Sequence, residues 1–215
     1  MIRRRLYFVR HGLREDFENE IWRESAENPW DPPLSADGRG QAADIGAFFA
    51  ERRVDGVFSS PFLRTLETAQ AVARACGAPV WMEEGLCEWL NPEWHNVPPR
   101  WLSPVEAAPR FPAVDAAYVS KARAIYPEAA ESREVLERCW AFLDTVLQDG
   151  LTGDLVFVTH GSPLGQCMGR LLGGTEGIDF RMAAITELEQ NGEKFRLLRS
   201  GCEHLRVLDE IGRFV

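Results

Sequence analysis

LYFVRHGLRED, residues 6–16, passes from four apolar side chains straight into a cation, an imidazole and a glycine. A short apolar run bounded in this way reads as a buried strand, so Arg10, His11 and Gly12 stand where the strand leaves the core. Three later runs have the same character: Gly56 to Ser59, Val80 to Met82, and Asp154 to Thr159 (DLVFVT). Helical patterns alternate with them. Ser35 to Arg53 starts on a serine and spaces Ala42, Ile45, Phe48 and Phe49 for one face. Pro61 opens FLRTLETAQAVARACG, which stops at Gly77. A third helix is expected from about Glu131 to Gln148, with Val135, Leu136, Cys139, Phe142, Leu143 and Val146 on one face. A fourth follows Gly161 and stops near Gly173-Gly174. Strands alternating with helices predict an α/β fold: three layers, α/β/α, with a mostly parallel central sheet covered on both faces. Near the end, AITELEQNGEKFRLLRS reads as a hairpin turning at Asn191-Gly192.

A chain of 215 residues suits a single domain spanning 1–215 with one sizeable insertion. Its 45% hydrophobic and 27% charged residues are those of a soluble protein with a full core. No apolar stretch reaches the roughly 18 residues of a membrane span, and MIRRRLYFV lacks the apolar region and cleavage site of a secretion signal. Five scattered cysteines without a CxxC pair point to reduced thiols in a cytoplasmic protein, not to disulfides or a zinc site. A formal net charge of −9 argues against holding nucleic acid by charge. A bound phosphate would need arginines gathered locally against that overall field.

Two segments break the alternation. Glu15 to Pro33 contains Trp22, Pro29, Trp30, Pro32 and Pro33; Trp89 to Pro127 contains Trp94, Trp101, Phe111, Tyr118 and Tyr126 among prolines. Linkers lack that density of aromatics, so both are expected as ordered insertions above one end of the sheet. Loops packed on their own side chains would satisfy the pattern, and so would a pocket wall, since such insertions line the crevice of open α/β sheets. The second, about 89–130, is expected to form a lid or pocket wall, with Trp22, Trp89 and Trp94 as candidate pocket residues.

The C-terminal ends of parallel strands meet on one edge of a sheet. Here they deliver Arg10 and His11, then Arg64 in the first turn of a helix, then Glu88 in GLCEW, then His160 in VTHGS. Singly, each has an ordinary explanation: a hydrogen-bonded histidine, a surface cation, a solvated carboxylate. Arg64 stands out because a cation in the first turn opposes the helix dipole at a few tenths of a kcal/mol. That is tolerated where the arginine and the helix end address the same anion. Arginines beside His11 would disfavour its protonation and grip phosphate oxygens in fork geometry. His95 and His204 lack this company and read as structural or solvated.

VRHG, PLSADGRGQA (33–42), SSPFLRTLETA (59–69), GLCEW (85–89) and VTHGS (158–162) follow one another along almost the whole chain. In that order they resemble the histidine phosphatase, or phosphoglycerate mutase-like, superfamily. The resemblance implies a phosphoglycerate mutase-like fold and assigns the roles. His11 is the nucleophile that forms a phosphohistidine. Arg10, Arg64 and His160 hold the phosphate oxygens, and His160 joins His11 and Glu88 as a catalytic residue. Glu88 gives a proton to the leaving oxygen and afterwards activates water. No metal and no cofactor are implied. Many members read RHGxTxxN; here Arg14 and Phe17 occupy the Thr and Asn positions. RHGLRED, Trp22 and GLCEW are more similar to the branch of the suppressor-of-T-cell-receptor-signalling and insect steroid-phosphate phosphatases. That branch reads RHGER, which carries Arg14 to the phosphate site; a salt bridge of Arg14 with Asp16 or Glu15 is the alternative.

A mutase must hold a bisphosphate, and Arg100, Lys121 and Arg123 are the spare cations of the insertion. They are spread among aromatics and prolines, which suit a leaving group with a bulky or apolar part. The expectation is therefore a metal-independent phosphatase of the histidine acid type, a phosphoric monoester hydrolase taking a small-molecule phosphomonoester and releasing inorganic phosphate. No nucleic acid or membrane partner is expected, and homodimerisation is left open. The alternatives are mutase-type phosphoryl transfer, a sugar-bisphosphate phosphatase, and an inactive phosphate-binding domain.

Overall fold

The computed structural model describes residues 3–94, 96–128 and 133–206, so His95 and the expected helix start at Glu131 lie outside the described residues. Strands β1 (Arg3–Arg10), β2 (Gly56–Ser59), β3 (Val80–Met82), β4 (Leu155–Thr159), β5 (Ile185–Asn191) and β6 (Lys194–Gly201) form one sheet. Their order is β3-β2-β4-β1-β5-β6. The first four in that order are parallel neighbours, and β5 runs antiparallel to both β1 and β6. The helices are α1 (Glu15–Glu18), α2 (Trp22–Ser25), α3 (Ala36–Phe49), α4 (Leu63–Cys76), α5 (Pro104–Ala107), α6 (Arg133–Gln148) and α7 (Gly161–Leu172). The expected α/β architecture with its mostly parallel sheet and its hairpin is present. None of the described helices is long and apolar enough to cross a membrane.

Alternation along each strand builds the layers, because successive side chains point to opposite faces. Tyr7, Val9, Val57, Val156 and Val158 pack with Ile45 and Phe49 of α3 and Leu66, Ala69 and Val72 of α4. Leu6, Phe8, Phe58, Leu155 and Phe157 pack with Phe142 and Leu143 of α6 and Leu164 and Met168 of α7. Apolar residues on both faces explain why the strands read as unbroken hydrophobic runs. β1 begins three residues before the apolar run because its arginines find partners. Arg3 and Arg5 pair with Glu189 and Glu187 on β5, and buried Arg4 donates to Gln190 Oε1 at 2.7 Å.

The helix ends follow local chemistry. Ser35 Oγ accepts the Gly38 N–H at 3.0 Å and starts α3. That helix stops at Phe49, short of Arg53, as the chain turns back to bury Val54 ahead of β2. Gly77 (φ 75°) and Gly173 (φ 80°) end α4 and α7 in the left-handed conformation that glycine adopts without steric cost. α4 begins at Leu63 and not at Pro61, since Phe62 stays extended and the Leu63 N–H is taken by Asp31.

Two glycines interlock beneath the turn that follows β1. A Cβ on Gly12 would lie 2.7 Å from the Gly38 carbonyl oxygen, and one on Gly38 would run into the Leu13 carbonyl. The first turn of α3 therefore rests directly on the backbone that follows His11. Gly38→Ala is expected to destabilise the fold by about 1–3 kcal/mol through overpacking. Gly40→Ala, two residues on with open space around it, should stabilise by about 0.5–1 kcal/mol through helix propensity. Urea midpoints of the two variants should therefore move in opposite directions.

Candidate active site

The C-terminal ends of β1, β2 and β4 and the turn after β3 converge on a cavity of about 460 Å³, within the ~300–1,000 Å³ range of small-molecule sites. Arg10, Arg14, Arg64, Glu88, Gly161 and Ser162 line its inner part. His11 and His160 lie directly behind this lining, His11 against Arg64 and His160 against Glu88, with their rings 5.1 Å apart. All the residues expected to carry chemistry are thus brought together. Trp94 also lines the cavity, with Phe17 and Trp30. Trp22 and Trp89 lie outside its lining: Trp89 packs edge-on behind Trp94 at 5.0 Å. Glu15 to Pro33 folds into two short helices, and this hands the wall position to Trp30 in place of Trp22.

The His11 tautomer follows from its neighbours. Nδ1 is 2.7 Å from the Gly12 carbonyl oxygen, which can only accept, so Nδ1 carries the proton. Nε2 is 3.3 Å from the Arg64 Nε–H, which can only donate, so Nε2 presents its lone pair. Burial and the neighbouring Arg64 and Arg10 guanidiniums push the His11 pKa well below its ordinary value. His160 is depressed for the same reasons: burial first, then Arg64, His11 and Arg10. Its Nε2 is 2.8 Å from Ser60 Oγ, and its Nδ1 faces Glu88 Oε2 at 3.7 Å. The carboxylate on that side favours the proton on Nδ1 and leaves Nε2 to accept from the Ser60 hydroxyl.

The cations are buried at a cost that specific partners offset. Arg64 is 1% exposed. Its Nη1 lies 3.8 Å from Asp31 Oδ1, and Asp31 also accepts the Leu63 N–H at 2.7 Å. Desolvation outweighs their attraction on both sides, lowering Arg64 to about 10 and raising Asp31 to about 7. Arg10 donates to the Phe180 carbonyl and lies beside Gly161 at the start of α7. Arg10 Nε, Arg64 Nη1 and His160 Nδ1 are buried with no hydrogen-bond partner among the described residues. Unsatisfied donors cost most where water is excluded, and all three belong to residues at the cavity: Arg10 and Arg64 line it and His160 lies behind it against Glu88. Arg14 lines the cavity and also forms the alternative salt bridge, donating to Asp16 at 2.9 and 2.7 Å.

Glu88 is held by a frame that sequence reasoning missed. Arg138 donates to the carbonyls of Gly85, Cys87 and Glu88 and pairs with Glu128 at 2.6 Å. Its position between Val135 and Phe142 on the apolar stripe of α6 was the available signal. Buried Glu83 accepts from Tyr118 Oη, Ser120 Oγ and the Lys121 and Ala122 N–H groups, which ties the second insertion to the end of β3. Asp31 and Ser60 were equally unassigned. Cys87 beside Glu88 is buried, and desolvation pushes its thiol far up, so it is a packing residue. His204 sits away from the site against Phe48, where burial lowers its pKa to about 4. Among the described residues no group of three or more His, Cys, Asp or Glu is placed to hold a metal ion.

The sequence profile of the histidine phosphatase superfamily (branch 1) matches residues 6–203. The human ubiquitin-associated and SH3 domain-containing protein A is 31% identical over 174 residues, which is 74% of this chain but only 24% of that protein. This chain thus spans about a quarter of that relative's length. A Yersinia pestis protein named as a probable phosphoglycerate mutase, GpmB, is 29% identical over 168 residues, 78% of this chain and 74% of its own. Among solved structures, ecdysone phosphate phosphatase from Bombix mori in complex with tungstate has a TM-score of 0.73 at 20% identity, covering 91% of this chain and 92% of that one. At that identity the likeness is one of fold.

Three histidines with depressed pKa values, His11, His160 and the more peripheral His204, and one buried carboxyl make stability depend on pH with opposite signs. Below about 6.5 the unfolded chain protonates His11 and His160 and the folded one does not. Stability is therefore lost as pH falls, approaching about 1.4 kcal/mol per pH unit for each. Between the ordinary value of 3.8 and about 7, folded Asp31 holds a proton that the unfolded chain lacks, which favours the acid side. Urea titrations from pH 7 to pH 5 should show a net loss of stability. His11→Gln should make that loss shallower, and Asp31→Asn should make it steeper.

Proposed function

The chain belongs to the histidine phosphatase superfamily, and from that premise we propose that it is a metal-independent phosphomonoesterase working through a phosphohistidine on His11. The observation that carries the reading is the His11 tautomer: a neutral ring whose Nε2 lone pair is directed toward the arginines. In the first step Nε2 attacks phosphorus and the bond from phosphorus to the leaving oxygen breaks. Glu88, as the acid, gives that oxygen a proton. Arg10, Arg14, Arg64 and the His160 Nδ1–H hold the phosphoryl oxygens as charge shifts onto them, aided by the α7 N-terminus at Gly161 and Ser162. In the second step the Glu88 carboxylate takes a proton from water, the water oxygen attacks phosphorus, and the phosphorus–nitrogen bond breaks. Inorganic phosphate and neutral His11 result. The depressed His11 pKa keeps the nucleophile unprotonated in mild acid, in keeping with an acid-type phosphatase.

Hydrolysis is favoured over mutase chemistry by where the insertion's cations lie. Arg100 and Arg123 line other clefts, and Lys121 pairs with Asp149. The cavity's outer wall is aromatic, formed by Phe17, Trp30 and Trp94, which supports a bulky leaving group with an apolar part.

Hydrolysis of p-nitrophenyl phosphate with chelator present is the direct test. Wild type should turn it over between pH 4 and 8, and His11→Ala should lose at least about a thousandfold in kcat. Wild-type inertness, or a variant that keeps its rate, would refute the mechanism. Glu88→Gln should lose on the order of 10²-fold or more on alkyl phosphates and far less on p-nitrophenyl phosphate, whose leaving group needs no proton. Equal losses on both would remove Glu88 from the acid role.

A further inference from the structure

The mouth of the cavity has a chemistry of its own. Asp16, its carboxylate 2% exposed, lies between two guanidiniums. Arg14 donates to it through Nε and Nη2, and Arg23 does so through the same pair of atoms at 2.9 and 2.6 Å. Burial opposes ionisation of Asp16, but the two arginines outweigh it and hold the carboxyl below its usual range. One carboxylate cannot neutralise two guanidiniums, so the mouth keeps a surplus positive charge on a chain whose net charge is −9. The bonds to Asp16 use one edge of Arg23 and leave its Nη1 side for another acceptor. Arg23 lines the cavity over the face of Trp30, 5.3 Å from the ring centroid. Around it stand Phe17 and Trp94, 48% and 51% exposed, two large apolar side chains that a folded monomer gains nothing by showing to water.

We propose that this mouth is a leaving-group subsite for a planar aromatic phosphomonoester that carries a second anionic group, with the rings of Phe17, Trp30 and Trp94 taking the aromatic body and Arg23 the anion. The proposal rests on the phosphatase reading and deepens it. The inner arginines hold the phosphoryl group. The aromatic walls then fix how the rest of the ester leaves the cavity, and Asp16 fixes where the outer cation meets it. An ester with an aromatic body alone would fill the rings but leave Arg23 facing solvent. An aliphatic diacid would reach Arg23 but leave the rings uncovered. Arg23 acts as a specificity-determining residue, and Asp16 is the positioning residue that orients it.

The test compares two substrates that differ only in the distal charge: the phosphate monoester of 3-(4-hydroxyphenyl)propanoic acid and that of its methyl amide. Their phenol leaving groups are alike, so the ratio of kcat/KM on one protein preparation reports the subsite and is insensitive to the folded fraction. For wild type the carboxylate ester should be preferred about three- to tenfold, the range for a half-exposed charge-assisted contact. The preference should shrink with added salt. Arg23→Gln should bring the ratio to about one, and Arg23→Glu should invert it. A wild-type ratio near one, or a ratio that survives Arg23→Gln, overturns the proposal. If neither ester is hydrolysed, the phosphatase reading fails by itself, and the subsite is then judged from the Kd values of the same two compounds by calorimetry. Equal Kd values overturn it; tighter binding of the carboxylate that is lost in Arg23→Gln upholds it.

Discussion

A guanidinium withdrawn from water against an uncharged imidazole is the constraint around which the site is built. Moving such a cation out of solvent costs several kcal/mol after relaxation, unless charge and hydrogen bonds replace the water. Arg64 finds replacement in Asp31, which comes from the first insertion, and in His11 Nε2, which comes from the end of β1. Asp31 is itself locked by the first N–H of the helix that carries Arg64. Charge, counter-charge and helix start thus form one closed arrangement. Burial, reinforced by the Arg64 and Arg10 guanidiniums, then holds both imidazoles well below their ordinary pKa.

The sheet and its principal helices were legible because every rule involved was local or periodic. Both faces of β1, β2 and β4 are covered, so Leu6 to Val9, Gly56 to Ser59 and Asp154 to Thr159 could read as nothing but core strands. The meeting of His11, Arg64, Glu88 and His160 followed from parallel topology alone. What stayed hidden depends on partners distant in sequence and on loops without period. Asp31 sits in Pro29-Trp30-Asp31-Pro32-Pro33, where a carboxylate looks solvated. Tryptophan identity carried no information about orientation, so Trp22 was favoured where the short helices bring Trp30 to the wall. Phe17 was noticed only as the residue standing in for an asparagine. Arg14 lines the cavity and pairs with Asp16 at once, so the salt bridge does not remove it from the pocket.

Glu88 and His11 are positioned by different parts of the chain. His11 is fixed by the sheet, its backbone N–H on Thr159 and its carbonyl on Ala183. Glu88 is fixed from α6, through Arg138 and its partner Glu128, and the insertion that follows hangs on the buried carboxylate of Glu83. Leu90, between Glu88 and the wall residue Trp94, bonds to that same Glu128 through both its N–H and its carbonyl.

The strand order has a consequence for how the protein is made. β1 pairs only with β4 and β5: Leu6 lies opposite Leu155 on one side and Leu188 on the other. During synthesis Leu-Tyr-Phe-Val emerges long before either neighbour exists, a bare apolar segment with both edges open until β4 and β5 are made. Such segments seed aggregation unless charge flanks them. Arg3, Arg4 and Arg5 precede this one and Arg10 closes it. The same arginines that later pair across the sheet, or line the cavity, serve the nascent chain as gatekeepers while the centre of its fold waits for partners.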